Sequence, residues 1–140
     1  MPGVAVQFAC AASGAPIAGR LRAFARAAAS ATAEVTLRIV GAAEGRRLNR
    51  TYRGRDHPTN VLAFSYDRRR GDLVLCHPVV AREARAQGKT LDAHYAHLVV
   101  HGMLHLRGYC HDRPADARQM EKRESEILTR LGYRDPYALE

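Results

Sequence analysis

The sequence predicts an α+β fold: about four strands in one sheet, packed with about five helices, forming a single domain over residues 1–140. Three observations carry this. Stretches whose apolar residues alternate, as in half-buried strands, are interleaved with stretches whose apolar residues recur every three or four positions, as in amphipathic helices. No repeat, low-complexity linker or compositional break divides the chain. A length of 140 residues suits one domain around one core.

The elements follow in order. VAVQFAC, from Val4, alternates and predicts the first strand. IAGRLRAFARAAAS places Ile17, Leu21, Phe24, Ala25 and Ala28 on one helical face. EVTLRIVG alternates again, as a second strand, and AAEGRRLNRTYR predicts a short helix that Gly54 would end. DHPTNVLAFSY passes through a proline turn into a third strand; RRRGD reads as a turn and LVLCH as the fourth strand. PVVAREARAQG opens with Pro78, tolerated in a first helical turn, and closes at Gly88. LDAHYAHLVVHGMLHLR predicts a longer helix ended by Gly108. PADARQMEKRESEILTRLG predicts the last helix, with Ala117, Met120, Ile127, Leu128 and Leu131 inward and Gly132 and Pro136 as stop signals.

Composition narrows the function. The 22 basic residues exceed the 14 acidic ones, for a net charge of +8. All but Lys89 and Lys122 of the basic residues are arginine. Guanidinium is planar, permanently charged and able to grip phosphate through two parallel N–H bonds. A small domain this basic points to a polyanionic partner such as nucleic acid, although an Arg- and Ala-rich coding bias contributes. Cys10, Cys76 and Cys110 are odd in number and form no C-x-x-C pair, so a reducing compartment is expected, not a disulfide framework. No apolar run approaches a membrane span, so no membrane partner is expected. The N-terminal stretch lacks a basic leader and reads as the first strand of a cytoplasmic protein.

The strongest chemical signal is HGMLHLRGYCH, from His101 to His111. His94, His97, His101 and His105 share one arc of the predicted helix, yet they cannot all bind one ion. His97 and His105 are separated by a rise of about 12 Å, whereas a zinc–nitrogen bond is about 2.0–2.1 Å. One straight helix therefore supplies two ligands four positions apart, and the third must come from chain that folds back. Gly108 permits that reversal, and His111 follows it. This selects His101, His105 and His111. Zinc, one per chain, is the expected ion because imidazole suits it; nickel or copper fits the same ligands. Three protein ligands leave a position open, the mark of a catalytic site. His97 sits one turn before His101, placed to line a cleft or to bond a backbone carbonyl. In many zinc hydrolases with two histidines at this spacing, a glutamate follows the first; here the position is Gly102.

With the arginine segment added, the chain resembles the YbeY family of bacterial endoribonucleases, also called rRNA maturation factors. The motifs are LNRTYRGRDHPTNVLAF, GDLVL, HLVVHGMLHLRGYCHD and MEKRESEILTRLGYRDPY, from about Leu48 to Tyr137 in the family's order. The resemblance implies a mixed, mostly parallel sheet and a cytoplasmic metalloenzyme that cuts single-stranded RNA. It implies maturation of the 16S rRNA 3′ end and quality control of the small ribosomal subunit. The implied partners are 16S rRNA, the small subunit and its proteins, and the GTPase Era. The family's zinc ligands fall on His101, His105 and His111, and its catalytic arginine on Arg53. Two positions depart: Cys110 stands where the family has aspartate, and Arg55 where it has lysine.

The residues fit that chemistry. Peptide hydrolysis needs a strong base beside the metal, which Gly102 does not supply. Phosphoester cleavage passes through a crowded anion, so cations matter more than a carboxylate. Arg46, Arg50, Arg53 and Arg55 crowd one segment, and the first three share a helical face. Arg53 is expected to clamp the scissile phosphate; Arg46, Arg50, Arg55 and His97 are candidate substrate contacts. Cys110 and Asp112 flank His111 as candidates to hold its ring, with Asp112 also a candidate helix cap. The alternatives are a metallohydrolase of another substrate class and a non-catalytic, zinc-containing ribosome-assembly factor.

Overall fold

A computed structural model describes residues 2–138. Four strands, β1 (Gly3–Phe8), β2 (Glu34–Val40), β3 (Val61–Ser65) and β4 (Arg70–Cys76), form one sheet in the order β1-β2-β4-β3. β1, β2 and β4 run parallel, and β3 closes one edge antiparallel to β4. Among the described residues five helices surround it: α1 (Ala18–Ala28), α2 (Ala42–Arg53), α3 (His77–Gln87), α4 (Leu91–Leu106) and α5 (Pro114–Arg130). The mixed, mostly parallel sheet with five helices matches the expectation.

Alternation along the strands divides the core by sheet face. Leu37 and Ile39 of β2, with Leu73 and Leu75 of β4, face α1, α4 and α5, where Leu21, Phe24, Val99, Met103 and Ile127 are buried. On the other face Val40, Leu62, Val74 and Val79 form a smaller cluster against Leu48 of α2. Two glycines let the helices approach β4. A Cβ on Gly102 of α4 would lie 2.8 Å from Leu73 Cδ2, and one on Gly45 of α2 would lie 2.9 Å from Cys76 Sγ. Both are distances that side chains do not tolerate without displacement.

Three local expectations are corrected. Ile17 is the extended residue preceding α1, not part of its inward face, and is 72% exposed. The fourth strand begins at Arg70 rather than Leu73, because the Asp67 carboxylate accepts the backbone N–H groups of Arg69 (2.8 Å) and Arg70 (2.9 Å) and closes the turn early. Those bonds and the Arg70 guanidinium hold the Asp67 carboxyl at about 2. His77 opens α3 rather than ending the strand. On α5, Met120, Ile127 and Leu128 are buried and Ala117 and Leu131 half-buried; the fully buried Glu124 shares this face.

Candidate metal centre and substrate cleft

Helix α4 is capped by Thr90, whose hydroxyl accepts the Ala93 N–H at 3.1 Å. At the other end Gly108 takes φ +95°, and the Tyr109 N–H returns to the Leu104 carbonyl at 3.0 Å. That left-handed residue turns the chain back across the end of the helix. The His111 ring arrives 5.1 Å from His105 and 5.8 Å from His101, centroid to centroid. One ring nitrogen of each of the three lies within 4.8 Å of the others. His101 Nε2 and His105 Nε2 face each other at 3.1 Å.

This trio fits a metal ion. Zinc–nitrogen bonds of about 2.0–2.1 Å space tetrahedral ligands by roughly 3.4 Å, which falls between the 3.1 Å of the His101–His105 pair and the 4.8 Å that bounds the trio. The tautomer also fits. Glu124, fully buried on α5, accepts from His101 Nδ1 at 2.7 Å, which leaves Nε2 of the neutral ring bare and pointing at its neighbours. His105 Nε2 lies 3.1 Å from that bare nitrogen, placed to share a single cation with it. Burial, and then the closeness of the His101 and His111 imidazoles, pushes the His105 pKa down, favouring the neutral, ligating ring.

Glu124 has two further partners. His97 Nε2 donates to it at 2.9 Å and the Tyr137 hydroxyl at 2.6 Å. Burial alone would raise the Glu124 carboxyl; the bonds from His101, His97 and Tyr137 outweigh it and hold the group at about 2. His97 therefore spends one nitrogen on a carboxylate, not a backbone carbonyl, while its Nδ1 lies 3.4 Å from Lys89 Nζ. His94 is buried away from the trio and pairs with Glu83 at 2.9 Å.

The trio opens onto a cavity of about 840 Å³. The edge strand β3 forms its floor. His97, Leu98, His101, His105 and Leu106 of α4 line one wall, and Tyr52 and Arg53 at the end of α2 line the other. Of the four arginines singled out in the sequence, only Arg53 lines this cavity. Arg46 grips Asp56 through two bonds of 2.8 Å, and Arg50 lies 3.6 Å from the same carboxylate. Among the described residues Arg53 makes no ion pair, and Arg55 is exposed outside the cavity lining. Cys110 directs its thiol to Asp116, with Sγ–Oδ2 at 3.7 Å, and neither Cys110 nor Asp112 bonds His111 among the described residues. The residue preceding α5 is Arg113, without a side-chain cap, so Asp112 does not cap it; the chain stays bent through 112–113 and Pro114 starts the helix.

Gly102 has no room for a side chain, because α4 lies on Leu73 at that point. A glutamate beside His101 would require the helix to move off the sheet. Sequence reasoning missed Glu124, Tyr137 and Tyr52. The available signal for Glu124 was one carboxylate in the apolar stripe of Met120, Ile127 and Leu128.

The family model for Endoribonuclease YbeY matches residues 17–132. The chain belongs to the YbeY family. Endoribonuclease YbeY of Aromatoleum aromaticum is 59% identical over 126 residues, covering 88% of this chain and 82% of that one. Endoribonuclease YbeY of Methylibium petroleiphilum is 57% identical over 116 residues, covering 81% of this chain and 78% of that one. A solution structure from Thermotoga maritima shares the fold, with TM-score 0.56 and 21% identity over 99% of this chain and 100% of that one. YbeY membership makes this chain a hydrolase acting on RNA. The YbeY match includes Arg53, the three histidines and Glu124, while Tyr137 lies beyond it.

Proposed function

We propose that this chain is a zinc-dependent, single-strand-specific endoribonuclease that matures the 16S rRNA 3′ end and acts in small-subunit quality control, through one domain and in the cytoplasm. The observation that carries the reading is the shared cavity. It joins three converging imidazoles to an arginine with no carboxylate partner among the described residues. Family membership supports RNA as the substrate class. Partners consistent with it are 16S rRNA, the small subunit and its proteins, and the GTPase Era. Among the described residues no helix is long and apolar enough to cross a membrane.

His101, His105 and His111 would hold the ion. When bound, zinc supplies a Lewis acid and makes a nucleophile available near neutral pH. The rest is the work of this chain. Arg53 presents two parallel N–H donors to the scissile phosphate and steadies its growing negative charge. Glu124 keeps the His101 ring turned toward the ion position. Gly102 keeps a negative side chain out of a site that must accept a polyanion.

The test is cleavage of a single-stranded RNA oligonucleotide, the same sequence in a duplex, a casein-type peptide, and small subunits carrying precursor 16S rRNA. Cleavage of the single strand and trimming of the precursor are expected, with duplex and peptide intact. Peptide hydrolysis, or no RNA cleavage by zinc-loaded protein, would overturn the reading.

A further inference from the structure

The cavity floor carries chemistry that neither the histidines nor Arg53 use. β3 is an edge strand, and its pairing fixes which backbone groups face outward. The Cys76 N–H bonds the Asn60 carbonyl at 3.0 Å, and the Tyr66 N–H bonds the Arg70 carbonyl at 2.9 Å. In an antiparallel ladder, hydrogen-bonded pairs alternate with pairs whose polar groups point away from each other. Residues 60, 62, 64 and 66 therefore bond β4. Val61, Ala63 and Ser65 turn their N–H and C=O groups toward the open edge. The Val61 N–H is taken by Asn60 Oδ1 at 2.6 Å. The backbone groups of Ala63 and Ser65 have no partner among the described residues, and both residues are exposed on the cavity floor.

Beside this edge stands Tyr52, 64% exposed and next to Arg53 in sequence. Its ring rests on Phe64, with centroids 5.1 Å apart at 70°, so one ring position is favoured while a face remains open. The other exposed tyrosines are committed elsewhere. Tyr66 bonds Asp72 at 2.6 Å outside the cavity, and Tyr137 bonds Glu124. Tyr52 has no hydrogen-bond partner among the described residues.

We propose that Tyr52 and the outward backbone of Ala63 and Ser65 form a subsite for one unpaired nucleobase, flanking the phosphate at Arg53. The proposal rests on the reading of RNA as substrate and deepens it. The base stacks on Tyr52, and its polar edge meets the donor–acceptor row of β3. In a duplex the faces of a base are stacked and its pairing edge is used, so neither contact can form. Selectivity for single strands then arises in this subsite, whereas Arg53 and the ion see only the phosphate, which duplex and single strand share.

The experiment measures binding of zinc-loaded protein to a 2′-O-methyl oligonucleotide, which resists cleavage through the 2′-oxygen, and to the same backbone made abasic. Wild type should prefer the base-bearing strand by about fivefold to about a hundredfold, the range of one base–aromatic stack. Tyr52→Ala should lose that preference and bind the abasic strand as wild type does; Tyr52→Phe should keep it. Ala63→Pro removes an outward N–H without breaking a ladder bond, and should reduce the preference in part. If Tyr52→Ala keeps the preference, or weakens both strands equally, the subsite is wrong although RNA remains the substrate. Failure of wild type to bind either strand would overturn the RNA reading and the subsite together.

Discussion

The histidine wall and the arginine wall face the same cavity, but only the first is tied from behind. His101 and His97 are anchored by a fully buried carboxylate, and α4 is fixed to the sheet at Gly102. Arg53 stands at the end of α2, exposed and unpaired among the described residues, while Arg46 and Arg50 are occupied by Asp56. On the proposed function, the difference follows from what each wall would hold. An ion needs ligands placed to a few tenths of an ångström, and buried hydrogen bonds provide that. A flexible polyanion needs a cation that can reach it, and exposure preserves that reach. The +8 charge alone would make every arginine equivalent; the ion pairs make them unequal.

Removing a ligand should have the largest effect. His111→Ala should reduce bound zinc from about one ion per chain to a trace and abolish cleavage, because two ligands from one helix do not hold the ion. His94→Ala should keep the metal, as metal analysis of both proteins would reveal. Full zinc occupancy in His111→Ala would break the histidine wall as described.

On the opposite wall, Arg53→Ala should slow single-turnover cleavage by about 10²–10³, the cost of removing one aligned donor at an oxyanion site. Zinc content and melting temperature should stay near wild type, and Arg53→Lys should restore only part of the rate. Arg46→Ala should cost far less, since Asp56 already engages that side chain. Equal losses for the two variants would erase the distinction between them.

The anchor should matter less than the ligands it orients. Glu124→Gln keeps the volume but replaces one of the two accepting oxygens, which serve His101, His97 and Tyr137, with a donor, so zinc affinity in a chelator competition should fall by about 10–100-fold. An unchanged affinity would mean that the histidines are held without it. The smallest effect is on stability: Gly102→Ala should cost about 1–3 kcal/mol in denaturant unfolding, because Leu73 must move to admit the methyl group. A neutral result would show that α4 can lift from the sheet.

Much of this was legible in the sequence, for identifiable reasons. Alternation gave the strands, and the spacing from His101 through Gly108 to His111 gave the converging trio, because helix geometry leaves few ways to satisfy it. Glu124 was less legible. Its partners come from α4 and from Tyr137, and nothing local to α5 reveals what a carboxylate in an apolar stripe faces across an interface. The inequality of the arginines was hidden too. Arg46, Arg50 and Arg53 share a helical face, but Asp56 lies past the end of that helix, where Gly54 turns the chain back onto it. Gly102 looked like a missing base in the sequence; in the fold it is the contact that seats the helix on β4.

The central claim is that the ion serves the chemistry while the core holds the fold. Metal content, RNA cleavage and thermal unfolding should be measured on the same preparation before chelation, after it, and after zinc is returned. The account predicts that chelation abolishes cleavage, leaves one cooperative unfolding transition, and that zinc restores the rate. Cleavage that persists in metal-free protein, or loss of the folded state on chelation, would contradict it.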